Sequence, residues 1–142
     1  MPSNPLPSGP GDWNNLDWQR AKLVEEINRT RIHDGQRPVI WAQAHNGGAQ
    51  NWAEVNAAAG RLHHASSGFD GEIIVMLHQL NDTTAARMVD LWNHSRGHHK
   101  IMHDNAYAYV TVGIAQDNRT GAIYGVARFF RPNSSWISHP AG

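Results

Sequence analysis

Two histidine clusters and one carboxylate are the residues of this chain whose types and spacing could do chemistry. The first cluster is Gly60-Arg61-Leu62-His63-His64, followed closely by Gly71-Glu72; the second runs Trp92-Asn93-His94-Ser95-Arg96-Gly97-His98-His99-Lys100-Ile101. Imidazole is a ready zinc ligand and, beside a carboxylate, a proton carrier, so the pattern points to metal binding or general acid–base chemistry. Two protein histidines completed by waters would leave coordination positions open, and would hold an ion more weakly than the three-ligand sites of dedicated zinc hydrolases. Glu72 has three open roles: fixing the tautomer of a histidine, acting as general base on a metal-bound water, or accepting backbone N–H groups at the end of a turn. An activated nucleophile has no support, because the chain has no cysteine and Ser95 has no identifiable base and orienting acid.

The elements that must position these residues are legible from periodicity. Leu16, Leu23, Val24 and Ile27 recur at helical spacing, Asn15 can cap that helix, Asp17 suits its positive end, and Asp34-Gly35 provides a stop. Pro38-Val39-Ile40 reads as a short extended lead-in. A second helix carries Ala44, Gly48, Trp52, Val55 and Ala59 on one stripe and closes at Gly60; within it Gly47-Gly48 implies close approach of another backbone or a local break. The β-branched start of Ile73-Ile74-Val75-Met76-Leu77 favours a strand. Asp82 or Thr83 caps a third helix, with Met88, Leu91, Trp92 and Ser95 on one face, which Gly97 interrupts. This puts Gly97-His98 at a helix exit and breaks the one-turn register of His94 with His98. His99 and His103 have the same spacing, which can chelate a metal on a helix face. Val110, Val112 and Ile114, then Ile123 to Phe130, alternate across the turn Asp117-Asn118-Arg119-Thr120-Gly121 as a β-hairpin. Helices first and strands last predict an α+β, three-layer α-β-α sandwich with a mostly antiparallel central sheet. Trp41, Trp52 and Trp92 are expected in or against its core, while His33, His45, His78 and His139 are expected as solvated surface residues.

In order and composition the motifs resemble the CAP superfamily of cysteine-rich secretory, antigen-5 and pathogenesis-related proteins (SCP-like domains), and its bacterial branch in particular. The residues that carry the resemblance are Leu62 and His64, Gly71-Glu72, Trp92, Ser95, Gly97-His98, Val112-Gly113 and the run from Ala122 to Phe130, within residues 17 to 131. The chain departs from the family pattern at Ile73, where an asparagine is usual, at Arg96, where a proline is, and at His99, where an arginine is. Ser95 stands where animal members carry a second glutamate. The resemblance implies that His64 and His98 face each other across a solvent-filled cleft with Glu72 between them and Ser95 at its edge, and that the histidine pair can bind zinc or another divalent metal. It further implies an extracellular or cell-envelope location and a binding module for a small ligand, such as a lipid or sterol or a cell-wall fragment, or for a protein partner. The alternative is a metal-dependent hydrolase in which His64 and His98 hold the metal and Glu72 is the general base.

Composition bounds these readings. At 142 residues with 40% hydrophobic content the chain can bury one core without a metal or disulfide. Lys plus Arg balance Asp plus Glu at 12 each and form no block, so nucleic acid is not an expected partner. No stretch has the length of a transmembrane helix, and Met1-Pro2-Ser3-Asn4-Pro5 has neither the basic nor the apolar region of a signal peptide; a removed leader or a longer parent protein would both agree with this. The first dozen residues hold four prolines, two glycines and two serines. Residues 1–14 are therefore read as a flexible arm, 15–132 as the folded domain and 133–142 as a C-terminal tail.

Overall fold

A computed structural model describes residues 12–137, so most of the expected arm and half of the expected tail lie outside the described residues. The elements in chain order are α1 (Leu16–His33), β1 (Ile40–Trp41), α2 (Gly47–Ala59), β2 (Gly71–Leu77), α3 (Thr84–Asn93), α4 (Arg96–Met102), β3 (Tyr109–Gln116) and β4 (Ile123–Phe130). Short 3-10 turns at Asp12–Asn14 and Gln43–His45 precede α1 and α2.

The sheet order is β1-β3-β4-β2, antiparallel except for β1, which lies parallel to β3. Because side chains alternate along a strand, each face of the sheet acquires its own core. On one face Ile73, Val75 and Leu77 of β2 and Val110, Val112 and Ile114 of β3 pack with Leu23, Val24 and Ile27 of α1 and with Met88 and Trp92 of α3. On the other, Ile74, Ala115, Tyr124 and Val126 meet Ala49, Ala53 and Ala57 of α2. The result is a three-layer sandwich with helices on both faces.

Local chemistry explains the elements. The Asn15 side chain accepts from the N–H groups of Asp17 and Trp18, and α1 stops at Asp34 before Gly35 at φ +84°. Gly60, at φ +69°, closes α2 in the left-handed conformation that glycine adopts without strain. β1 is only two residues long, and beyond it two side chains of the α2 segment replace the missing strand. Asn46 Oδ1 accepts from Val112 N at 2.8 Å, and Gln50 accepts from Ile114 N and donates to Ile114 O, each at 2.9 Å. Left without partners, these backbone groups would each cost the desolvation of a buried polar atom.

Three local expectations are corrected. The buried stripe of α2 is Ala49, Ala53, Asn56 and Ala57, whereas Gly48, Val55 and Ala59 are exposed. Small residues face the sheet because the helix lies close to it: a Cβ on Gly113 would stand 2.3 Å from Ala49 O. Leu91 of α3 is exposed, while Met88 and Trp92 are buried. The helix also breaks earlier than Gly97 suggested. α3 ends at Asn93, and α4 restarts at Arg96 with Ser95 as its N-cap residue, so Gly97-His98 lies in the first turn of a new helix instead of at a helix exit.

Candidate functional site

Glu72 is the buried centre of the first cluster. It sits on β2 with a 1% exposed side chain, and the sheet register places Arg128 of β4 directly beside it. Arg128 Nε donates to Glu72 Oε2 at 2.9 Å, and the backbone N–H of Ala65 donates to Oε1 at 3.1 Å. His64 Nδ1 stands 2.9 Å from the same Oε1. A carboxylate paired with arginine can only accept here, so His64 carries a proton on Nδ1. A carboxylate offers about four lone-pair positions, and three are taken within the protein. The His64 side chain itself remains 56% exposed.

His98 lies in the first turn of α4. Burial first, and the neighbouring His64 second, hold the His98 pKa below the ordinary imidazole value. Both influences favour the neutral form of the His98 ring. Ser95 is half-buried at the start of α4, and its hydroxyl makes no helix-capping hydrogen bond. The adjacent His63 turns away from this group: it packs edge-on against Trp52, at a centroid distance of 4.7 Å, and its carbonyl accepts from Trp52 Nε1.

Arg128 is the site residue that motif reading overlooked. A signal was present, because the alternation of β4 puts Arg128 on the same face as the buried Tyr124 and Val126, and a cation inside a buried strand requires an acid partner. Its guanidinium also lies 5.2 Å from the Phe69 ring centroid and packs against Gly48, where an added Cβ would stand 3.2 Å from Nη1. The glycine at the start of α2 thus makes room for the arginine that holds Glu72.

A second His/Asp group joins α4 to the end of α1. Asp34, His99 and His103 each place a ligand atom within 4.8 Å of the others, a metal-competent grouping found among the described residues. The one-turn spacing of His99 and His103 leads to it; Asp34, expected only as part of a helix stop, completes it. Two shallow grooves of about 330 and 470 Å³ flank the β3–β4 turn near Asp117 and Arg119, and neither is lined by His64, Glu72 or His98.

Residues 24–129 match the model of the cysteine-rich secretory protein family, CAP. No curated protein sequence matches the chain. Among solved structures, an outer surface protein of Borrelia burgdorferi is similar at 12% identity with a TM-score of 0.65, over 82% of this chain and 96% of that one. An extracellular SCP-domain protein of Bacillus anthracis has 18% identity and a TM-score of 0.63, over 91% of this chain and 45% of that one. A cysteine-rich secretory protein of Staphylococcus aureus has 15% identity and a TM-score of 0.54, over 82% of this chain and 40% of that one. At these identities the likeness is one of fold. No helix among the described residues is long and apolar enough to cross a membrane.

Proposed function

Because this chain belongs to the cysteine-rich secretory protein (CAP) family, we propose that it is an exported binding module whose cleft, made by His64, Glu72, Ser95 and His98, receives a polar group of a small ligand or of a protein partner. The observation that carries this reading is the state of Glu72: with its oxygens engaged by Arg128, Ala65 and His64, it orients an imidazole and has little capacity left to shuttle a proton. The two imidazoles, His64 backed by the buried Glu72–Arg128 ion pair, would form a recognition surface for a donor group or a weakly held cation. The metal-dependent hydrolase needs Glu72 as a free general base, and that arrangement counts against it.

The donor set fits a divalent metal such as zinc at two positions. His64 Nε2 and His98 would be the ligands, and Glu72 would act behind His64 as the carboxylate that fixes its tautomer. Bound there, such an ion would polarise an oxygen of the ligand; with two imidazoles alone, it would be exchangeable. The ligand class favoured by the family is a lipid or sterol, a cell-wall fragment or a protein partner. An extracellular or outer-surface location is supported by the bacterial proteins that share the fold, one an outer surface protein and another extracellular.

The test is an imidazole NMR titration of the full chain with zinc, on the wild type and on the His64→Ala, His98→Ala and His33→Ala variants. The expected result is that His64 and His98 shift together in the wild type and in His33→Ala, and that each loses its response when the other is removed. Independent shifts, or none, would sink the paired cleft. Native mass spectrometry of protein recovered from its natural source should reveal a reproducible small ligand, and protein that is always empty would argue for the protein-partner form.

A further inference from the structure

We infer that Asp34, His99 and His103 form a second divalent-metal site, of the zinc class, which pins α4 to the C-terminal end of α1 and is separate from the cleft. Consecutive helical residues point about 100° apart, so α4 can present His98 to the cleft and His99 to this group. His99 and His103, one turn apart, stack at a centroid distance of 4.0 Å. The buried Arg31 holds the two helices in place: its Nη1 donates to the carbonyls of Met102 and Asp104, and its Nε to that of Arg37.

The hydrogen bonds around His103 leave a specific need for positive charge. Asn93 donates its Nδ2 to Thr30 Oγ1, which turns Asn93 Oδ1 toward His103 Nε2 at 2.7 Å; Nε2 therefore carries a proton. Gln36 donates its Nε2 to the Asp34 carbonyl, which turns Gln36 Oε1 toward His103 Nδ1 at 2.9 Å. Asp34 Oδ2 stands 3.2 Å from the same Nδ1. If the ring is neutral, Nδ1 presents a lone pair to two oxygen acceptors, which repel it. Either a second proton or a metal ion must relieve this.

A metal ion satisfies every partner at once. Ligand bonds of about 2.0–2.2 Å set neighbouring donors roughly 3–3.5 Å apart, and the donors of Asp34, His99 and His103 already lie within 4.8 Å of one another. Two imidazoles and one carboxylate, with a position left for water or Gln36 Oε1, suit zinc and its borderline neighbours better than calcium or magnesium. Nε2–H donated to Asn93 is the outer hydrogen bond that a metal-bound histidine ordinarily makes.

The experiment is zinc binding by calorimetry to the metal-stripped full chain, alongside imidazole NMR, on a His64→Ala/His98→Ala background in which the cleft cannot contribute. The expected result is one zinc per chain with a dissociation constant below about 100 μM, shifts confined to His99 and His103, and at least tenfold weaker binding in His99→Ala and in Asp34→Asn. Both of those residues are on the surface side of the cluster, so neither variant depends on replacing the buried His103. Unchanged affinity in both variants, or a His103 ring that carries protons on both nitrogens at pH 7.5 and ignores zinc, overturns the site. Loss of cleft binding alone leaves this result standing, and failure here leaves the cleft untouched.

Discussion

The two faces of α4 carry the same residue types under different constraints. On the His98 side, the neighbouring His64 pairs with Glu72, whose side chain is 1% exposed and bound by Arg128. On the other side, His99 and His103 lie beside Asp34, whose side chain is 53% exposed and stands 3.2 Å from His103 Nδ1. A carboxylate already neutralised by arginine acts through the imidazole it orients; a carboxylate facing only imidazoles is available to a cation. Residue identity alone does not distinguish these roles, because the distinction rests on a cation 56 positions away along the chain.

The largest effect expected from breaking this difference is at Arg128. Arg128→Met strands a buried carboxylate and should cost about 3–5 kcal/mol in urea unfolding, with much of the loss recovered in the double variant carrying Glu72→Gln. If the single variant loses under about 1 kcal/mol, Glu72 is not held as described. Next in size is Asn93→Ala on the opposite face, which leaves the His103 Nε2–H without its acceptor and should cost about 1–3 kcal/mol, with a change of His103 tautomer visible in nitrogen NMR.

Asp34→Asn should change stability without metal by no more than about 0.5 kcal/mol, as an exposed substitution does, yet on the His64→Ala/His98→Ala background abolish the rise in Tm that zinc produces. An equal zinc-dependent rise in both proteins would erase the contrast between Asp34 and Glu72. The smallest effect concerns a third carboxylate of the arginine-held kind. Asp117 receives hydrogen bonds from the side chain and backbone of Arg119, and these hold its pKa below the usual carboxylate range. Its stabilising contribution is present above the unfolded carboxylate value near 4 and disappears as pH falls through the lower folded value. The stability difference between wild type and Asp117→Asn should therefore shrink on acidification below about pH 4; a difference that grows there would reverse the assignment.

Much of the fold was legible because it follows from local rules. Asn15 caps α1 as its side chain and position suggest, Gly60 ends α2, and the alternation of Val110, Val112 and Ile114 marks a strand that packs one face into the main core. The exposed Leu91 and the alanine face of α2 were not legible, because a helix's buried side depends on what it packs against. The break at Ser95 escaped because Gly97 is the stronger local signal, yet a glycine is tolerated in the first turn of a helix, where fewer intrahelical bonds depend on it. His64 and Glu72 were marked by their motif, and their contact at 2.9 Å joins two residues only eight apart. Arg128 and Gln36 carried no motif, Asp34 was marked only as a helix stop and Asn93 only as a neighbour of the second cluster; each matters through partners brought in by the tertiary fold.

By itself the sequence determined the element types, the hairpin, the family resemblance and the two histidine clusters, since hydrophobic period, capping residues and motif order act over a few residues. Only the tertiary structure decided which carboxylate is held by arginine and which faces imidazoles, and that Asp34 meets His99 and His103. Those outcomes depend on burial and on hydrogen-bond partners distant in sequence, and the electrostatics of a buried group is set by everything packed around it.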